Sequence, residues 1–365
     1  MTTALSNTTP APIAPTAPHG DPFVPPPLRP VTSHSPRPRI IATLYDNDGI
    51  HAAWSRAESF VDTLLRRAAA APARAGLAIQ LHTTEPGRVA REISSRYPGV
   101  PLVVGVGVDW IARKVAAGEQ DVTWAARQFL ELARRAVEAG AIAIMWNAEA
   151  SWKTAPNTVQ RARIIAAVRA GLALVAQTYP ALAQWHTSFD HPGYHSTYPW
   201  EAWLGAGSPI VASFPQVYAA PGGTAMAHRG ALPAREARAL ASWAAAVRAG
   251  WIRPDDASDN VVVQDGVVTA PADNPKDIDW HPYYQLHNVT TADTVASAVG
   301  HPTSSFWALQ GTSDAAGRAA LSAAVELSAR GFWGEGAVAR FQASVGLTAD
   351  DVCGPVTLRA LGVAV

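Results

Sequence analysis

Asn147-Ala148-Glu149 closes an apolar run, Ile142-Ala143-Ile144-Met145-Trp146, and leads into Ala150-Ser151-Trp152-Lys153. Side chains alternate faces along a strand, so Met145, Asn147 and Glu149 share one side while Ile144, Trp146 and Ala148 share the other. An amide and a carboxylate therefore leave the end of a buried strand in the same direction. A glutamate so placed can carry a proton to a leaving group, and the amide can orient it or grip a polar substituent of a substrate. The competing reading of Glu149 is a cap at the mouth of a loop. Asp46, Asp109 and Asp190 also stand just beyond apolar runs, and each can be a partner carboxylate, with Asp46 favoured and Asp109 second, or a helix N-cap. Trp110, Trp152, Tyr218, Tyr284 and Trp307 occupy comparable places, where an aromatic face can line a groove for sugar rings or pack in the core.

The elements that must position these residues alternate between strand and helix. The spacing predicts strands over Ile40 to Tyr45, Leu77 to His82, Val100 to Val108, the run ending at Asn147, Ala183 to Phe189, Pro209 to Val217, Tyr283 to Asn288 and Ser304 to Leu309. Helical patterns fall between them, notably Gly87 to Tyr97, Thr123 to Ala139, Thr158 to Thr178, Ala234 to Ala249 and Thr291 to Val299. Such alternation implies parallel pairing through right-handed crossovers. Eight units over 39–312 fit a (β/α)8 TIM barrel, a fold of about 250 residues whose chemistry sits at the carboxyl ends of the strands. A doubly wound open sheet is the runner-up, but no Gly-rich phosphate fingerprint follows the first strand. An insertion, Trp251 to Asp279, carries a β-hairpin signal about Asp265-Gly266.

Residues 1–38 are rich in Pro, Thr, Ala and Ser, with Pro25-Pro26-Pro27 and almost no aliphatic clustering, and are expected to form a disordered arm. The arm lacks a basic start followed by an apolar run, and no stretch of about 20 apolar residues follows, so neither a secretory signal nor membrane insertion is expected. Synthesis in the cytoplasm is the corresponding expectation. The 29 Lys and Arg balance the 29 Asp and Glu, which gives no general attraction to nucleic acid. One cysteine, Cys353, excludes an internal disulfide and a cysteine-rich zinc site. His186, Asp190, His191 and His195 lie close in sequence and raise a metal-dependent amidase, although Pro192-Gly193 keeps His191 and His195 off one helix face. Oligomeric state is not legible.

The carboxyl-terminal stretch Ala337 to Leu361 contains Val338, Phe341-Gln342, Gly346-Leu347, Asp350-Asp351, Gly354-Pro355-Val356-Thr357 and Ala360-Leu361. At these spacings it resembles the second half of the three-helix peptidoglycan-binding domain. Asp351 stands where that family has Gly, and Asp tolerates positive φ better than most residues. The helix from Ala315 to Arg330 would be the first of the three, giving a small all-α module over 313–365, or the eighth barrel helix, or both. The resemblance implies bacterial peptidoglycan as the partner and action at the cell wall.

With such a module attached, the barrel resembles the family 25 glycoside hydrolases, the barrel lysozymes of phages and bacteria. That resemblance covers mainly strand ends. It matches Asp46 to an acid after the first strand, Asn147-Ala148-Glu149 to an Asp-x-Glu after the fourth, and Gln216 and Tyr218 to polar and aromatic residues after the sixth. It implies a muramidase-like glycosidase or phage endolysin with Glu149 and Asp46 as the catalytic pair and no cofactor. The substrate contacts would come from Asn147, Asp109, Trp110, Trp152, Asp190, Gln216, Tyr218, Tyr284 and Trp307. The departure is Asn147, which cannot act as an anion, and it motivates a second expectation, a non-catalytic wall-binding or virion-associated barrel.

Overall fold

A computed structural model describes residues 38–45, 62–69, 76–82, 86–216, 232–253, 262–264, 267–269, 279–280, 283–285, 291–301, 304–307 and 315–363. The expected amino-terminal arm, Asp46 and Tyr218 lie outside these residues, as do the side chains of Tyr284 and Trp307. The architecture is mixed α/β. Strands β1 (Ile40–Tyr45), β2 (Leu77–His82), β3 (Leu102–Gly107), β4 (Ala143–Asn147), β5 (Ala183–Phe189) and β6 (Ile210–Gln216) lie side by side in chain order, every neighbouring pair parallel. The hairpin falls where the Asp-Gly turn predicts it, β7 (Val262–Gln264) pairing antiparallel with β8 (Val267–Thr269). Three short strands extend the large sheet: β9 (Asp279–Trp280) pairs parallel with β6, and β10 (Tyr283–Gln285) pairs with β11 (Ser304–Trp307), which pairs with β1.

Helices α1 (62–69), α2 (Pro86–Arg96), α3 (Asp109–Ala117), α4 (Val122–Glu138), α5 (Val159–Thr178), α6 (Trp200–Trp203), α7 (Leu232–Arg248) and α8 (Thr291–Gly300) fall between the strands or beside them. Their starts follow local chemistry. The Asp121 carboxylate accepts from Trp124 N at 2.7 Å to open α4, and the Thr158 hydroxyl accepts from Arg161 N at 3.1 Å to open α5. Helix α3 was not expected as a separate element. The strand that the sequence extends to Val108 stops at Gly107, and Asp109 becomes the first residue of a helix, where a carboxylate complements the helix dipole.

Strand parity divides the apolar residues into two cores. Ile144, Trp146 and Ala148 join Phe129, Trp152, Trp203 and the helices on one face, whereas Ile41, Ala78, Val103, Met145, Trp185 and Phe214 cluster on the other. The second cluster is the inner face, and Asn147 and Glu149 follow Met145 on it, as alternation requires.

The last three helices are α9 (Ala315–Ala329), α10 (Ala337–Ser344) and α11 (Pro355–Leu361). They share one continuous core with the helix-covered face of the sheet, through Leu321, Val325, Phe341, Leu358 and Leu361. Helix α9 both covers the sheet and belongs to the terminal trio: Arg39 donates to the Ser328 carbonyl at 3.4 Å, Arg67 pairs with Glu326, and Arg330 donates to the Leu361 carbonyl at 3.1 Å. Gln342 is buried and holds the loop between α10 and α11. Its Nε2 lies 2.7 Å from Asp350 Oδ1, 3.0 Å from the Val352 carbonyl and 3.0 Å from Thr357 Oγ1, while its Oε1 accepts from Asp350 N and Asp351 N. Asp351 adopts φ +59°, the left-handed conformation expected at that position.

Candidate functional site

The inner face of the sheet is apolar in its lower layers and polar at the carboxyl ends of its strands. On β2 the inward positions run Ala78, Gln80, His82, on β3 Val103, Gly105, Gly107, and on β4 Ala143, Met145, Asn147. Gln80 is buried and accepts from the Thr43 hydroxyl at 3.3 Å. Gly105 makes room for its neighbours: a Cβ there would run into the Gln80 amide and come within 3.1 Å of His82 Nδ1. The His82 ring therefore lies along β3 and reaches toward the rim. Burial pushes its pKa down from 6.5 to about 4, so the ring is neutral at pH 7.

At the rim, the Gln216 amide ties the two residues of the Asn-x-Glu pair together. Its Nε2 donates to Asn147 Oδ1 at 3.1 Å and to Glu149 Oε1 at 3.0 Å, which uses both of its hydrogens and fixes both side chains. Gln216 is the last residue of β6, two strands away, so the contact depends on the sheet's curvature and on a shared face. Asn147, Glu149 and Gln216 are all partly exposed.

The Asp109 carboxylate is turned to the backbone of the next loop. Its Oδ1 accepts from Glu149 N at 2.8 Å and its Oδ2 from Ser151 N at 3.2 Å, so the carboxylate fastens the loop that carries Glu149. Arg113, one turn further along α3, donates to the Ser151 hydroxyl at 3.1 Å and braces the same loop. Lys153 follows the loop and sets its ammonium over the Phe189 ring, 4.1 Å from the centroid. Burial lowers the Lys153 pKa, and the nearby Glu149 carboxylate acts against that shift.

Three sequence-derived substrate contacts lie on the other side of the sheet. Trp152 is fully buried, packed edge-on to Trp203 at 5.3 Å between centroids and against Phe129, so it is a core residue. Trp110 packs edge-on to Trp124 at 5.6 Å in the helix layer. Asp190 is buried, 3.0 Å from His191 Nδ1, and its carbonyl accepts from the Trp243 indole at 3.0 Å. For the two tryptophans the cause is that large rings beside a strand end gain more from the helix-side core than from a wet rim.

The histidines do not converge. His186 points to the helix side, with Nδ1 3.1 Å from Ser213 Oγ and Nε2 2.9 Å from the Tyr198 hydroxyl. Full burial pushes its pKa down to about 3. His195 stacks on Phe189 at 3.9 Å and His191 on Tyr194 at 5.4 Å. Among the described residues no group of three or more His, Cys, Asp and Glu is placed to hold a metal ion.

Comparison with protein families, with curated proteins and with solved structures finds no match. The site thus rests on its own geometry. The structure brings together Asn147, Glu149 and Gln216, all named from the sequence, and sets His82 and Lys153, which were not, close to the same rim. The parity of Ala78, Gln80 and His82 is the signal that could have found His82.

Proposed function

We propose that the chain is a peptidoglycan hydrolase, a muramidase-like glycosidase in which Glu149 is the proton donor and the terminal helices bind the wall. The observation that carries this reading is the Gln216 fork, which presents a partly exposed carboxylate and an amide from one face at the carboxyl ends of parallel strands. Chemistry in (β/α)8 barrels is placed at that end. A closed barrel is part of the proposal: β9 pairs with β6, and β10, beginning three residues after β9 ends, pairs with β11, so one interrupted seventh strand would join the two sides of the sheet.

Glu149 protonates the departing glycosidic oxygen, and an ionised partner on the opposite side of the bond, for which Asp46 is the candidate, assists attack at the anomeric carbon. The terminal helices support a wall-binding role through the sequence pattern that produces their Gln342-centred loop.

A second reading, a wall-binding protein without catalysis, is favoured by one fact. Among the side chains described, Glu149 is the one carboxylate on the inner rim whose oxygens are not taken by backbone N–H groups, since both oxygens of Asp109 are. Mass spectrometry of material released from purified peptidoglycan separates the readings. New reducing sugar ends that disappear in Glu149→Gln support the glycosidase, new amino groups point to an amidase, and binding without products supports the second reading.

A further inference from the structure

Lys153 sets a cation at the rim that the proposed reaction leaves unassigned. Two hydrogen bonds turn the chain after Glu149: Trp152 N donates to the Glu149 carbonyl at 3.2 Å and Lys153 N to the Ala150 carbonyl at 3.1 Å. The ammonium ends over the Phe189 ring, 4.1 Å from its centroid. Phe189 is the last residue of β5 and pairs in register with Gln216, while the β4–β5 ladder, with Asn147 opposite Thr187, brings Glu149 level with Phe189. Gln216 reaches Glu149 Oε1 at 3.0 Å from the far side of that strand end. The residue that carries the cation thus stands between Glu149 and the amide that holds it.

The loop does not need this charge to keep its shape. Asp109 accepts from Glu149 N and Ser151 N, Thr154 N donates to the Thr197 carbonyl at 3.0 Å, and Trp152 is anchored in the helix-side core. Among the described residues no carboxylate forms an ion pair with the ammonium, although partial burial disfavours the charge on Lys153 and the Glu149 carboxylate favours it. A contact ion pair would hold Glu149 ionised, without a proton to give. An ammonium set apart on a ring acts on Glu149 through its field alone. Gln216 takes up Oε1, which leaves Oε2 to carry the proton. Of the other groups nearby, Asn147 and Gln216 are neutral amides, Arg113 is a cation bonded to Ser151, and burial holds His82 neutral above about pH 4. Burial also keeps the Tyr198 hydroxyl, on the helix side, protonated well above its usual range, and His195 stacks on Phe189 at 3.9 Å.

We propose that Lys153 is a positioning residue for charge: its ammonium, fixed on Phe189, stabilises the carboxylate that Glu149 becomes when it protonates the departing oxygen. The inference rests on the glycosidase reading and adds a residue to its machinery. In that step the proton passes from Glu149 Oε2 to the glycosidic oxygen and the bond from that oxygen to the anomeric carbon breaks. The electron pair of the bond stays on the oxygen, attack at the anomeric carbon replaces the bond, and Glu149 is left negative. A cation already in place lowers the energy of that state without reorganisation at the moment of transfer. The same charge eases the proton off Glu149 in the resting enzyme, so it speeds transfer and narrows the active pH range on the alkaline side.

The test is the pH profile of kcat for reducing-end release from soluble peptidoglycan fragments by the full-length chain. Lys153→Met and Lys153→Gln remove the charge from the side chain over Phe189, and Lys153→Arg keeps it. Both neutral variants should lose roughly tenfold in kcat below the alkaline limb, a value discounted for partial exposure, with KM within about twofold of the wild type. Their alkaline limb should move up by about half a pH unit or more, because Glu149 then keeps its proton to higher pH. Lys153→Arg should follow the wild type in both respects, and His195→Phe, which replaces the other titratable group against Phe189, should leave the limb in place. A limb that stays where it is in both neutral variants, that Lys153→Arg fails to restore, or that moves with His195→Phe instead, overturns this inference. Loss of activity in Glu149→Gln then leaves the glycosidase reading standing. A wild type that releases no sugar ends overturns both.

Discussion

Replacing Asp109 with Asn tests whether this carboxylate serves the loop or the substrate. Each of its oxygens accepts one backbone hydrogen, from Glu149 N at 2.8 Å and Ser151 N at 3.2 Å. An amide keeps one acceptor and turns an NH2 group toward the other N–H, so one charge-assisted bond is lost and two donors face each other. A hydrogen bond to a charged group contributes about 1.5–3 kcal/mol, and partial exposure of this one places the expected loss near 2 kcal/mol. For a domain of 150–250 residues that corresponds to a fall of roughly 4–8 °C in melting temperature. Asp109→Ala, which removes both acceptors, should fall further. Hydrolysis should decline in step, because the peptide unit that positions Glu149 is released, while affinity for glycan changes little. Differential scanning calorimetry and reducing-end release on the same preparations check this. An Asp109→Asn protein that melts with the wild type yet has lost hydrolysis would refute the reasoning, because the carboxylate would then be acting at the substrate.

Four other outcomes are expected. Glu149→Gln keeps the contact with Gln216 but delivers no proton, so release of reducing ends should drop by about 10²-fold or more while wall binding persists. Gln216→Leu removes the donor shared by Asn147 and Glu149 and should lower kcat more than it raises KM, measured on soluble glycan fragments. His186 is held neutral by burial, its pKa lowered from 6.5 to about 3, so the unfolded chain takes up that proton first. Its contribution to stability is therefore present above about pH 6.5 and lost as pH falls toward 3, by about 2 kcal/mol at pH 5, and His186→Gln should reduce the difference between urea unfolding at pH 7 and pH 5. Gln342→Leu leaves the N–H groups of Asp350 and Asp351 without their acceptor and should cut the fraction of protein that sediments with insoluble peptidoglycan, with melting lowered by several degrees.

What the sequence makes legible is whatever depends on one element at a time. Alternation along Ile144 to Glu149 places Asn147 and Glu149 on one face without reference to any neighbour, and the Asp-Gly turn fixes a hairpin. Contacts between elements are harder. The tie between Gln216 and Glu149 links residues 67 apart in the chain, and no local pattern in either strand announces it. Asp109 looked catalytic because it follows a strand, yet whether a strand-end carboxylate faces substrate or backbone depends on the next loop, which the sequence does not position. The tryptophans misled for a related reason: an indole after a strand reads the same whether it turns toward the rim or toward the helices, and Trp152 turns toward Phe129 and Trp203.

The placement of the terminal helices relative to the rim carries a mechanical consequence. Helix α9 is joined to the residues that precede strands: Ser328 meets Arg39, just before β1, and the chain after α9 meets the turn before β11, where Trp333 donates to the His301 carbonyl at 2.8 Å and Gly334 to Val299 at 2.7 Å. These contacts lie at the amino ends of the parallel strands, whereas Asn147, Glu149 and Gln216 lie at the carboxyl ends. Six residues of strand separate the two levels by about 20 Å, at roughly 3.3 Å per residue. Because α9 is packed into the common core and bonded on both sides, the terminal helices cannot swing round to the rim without breaking that core. If they hold glycan, the strand they hold is not the strand whose bond lies at Glu149. The wall would then be gripped on one side of the molecule and cut on the other, so loss of wall binding should lower hydrolysis of insoluble peptidoglycan and leave hydrolysis of soluble fragments intact.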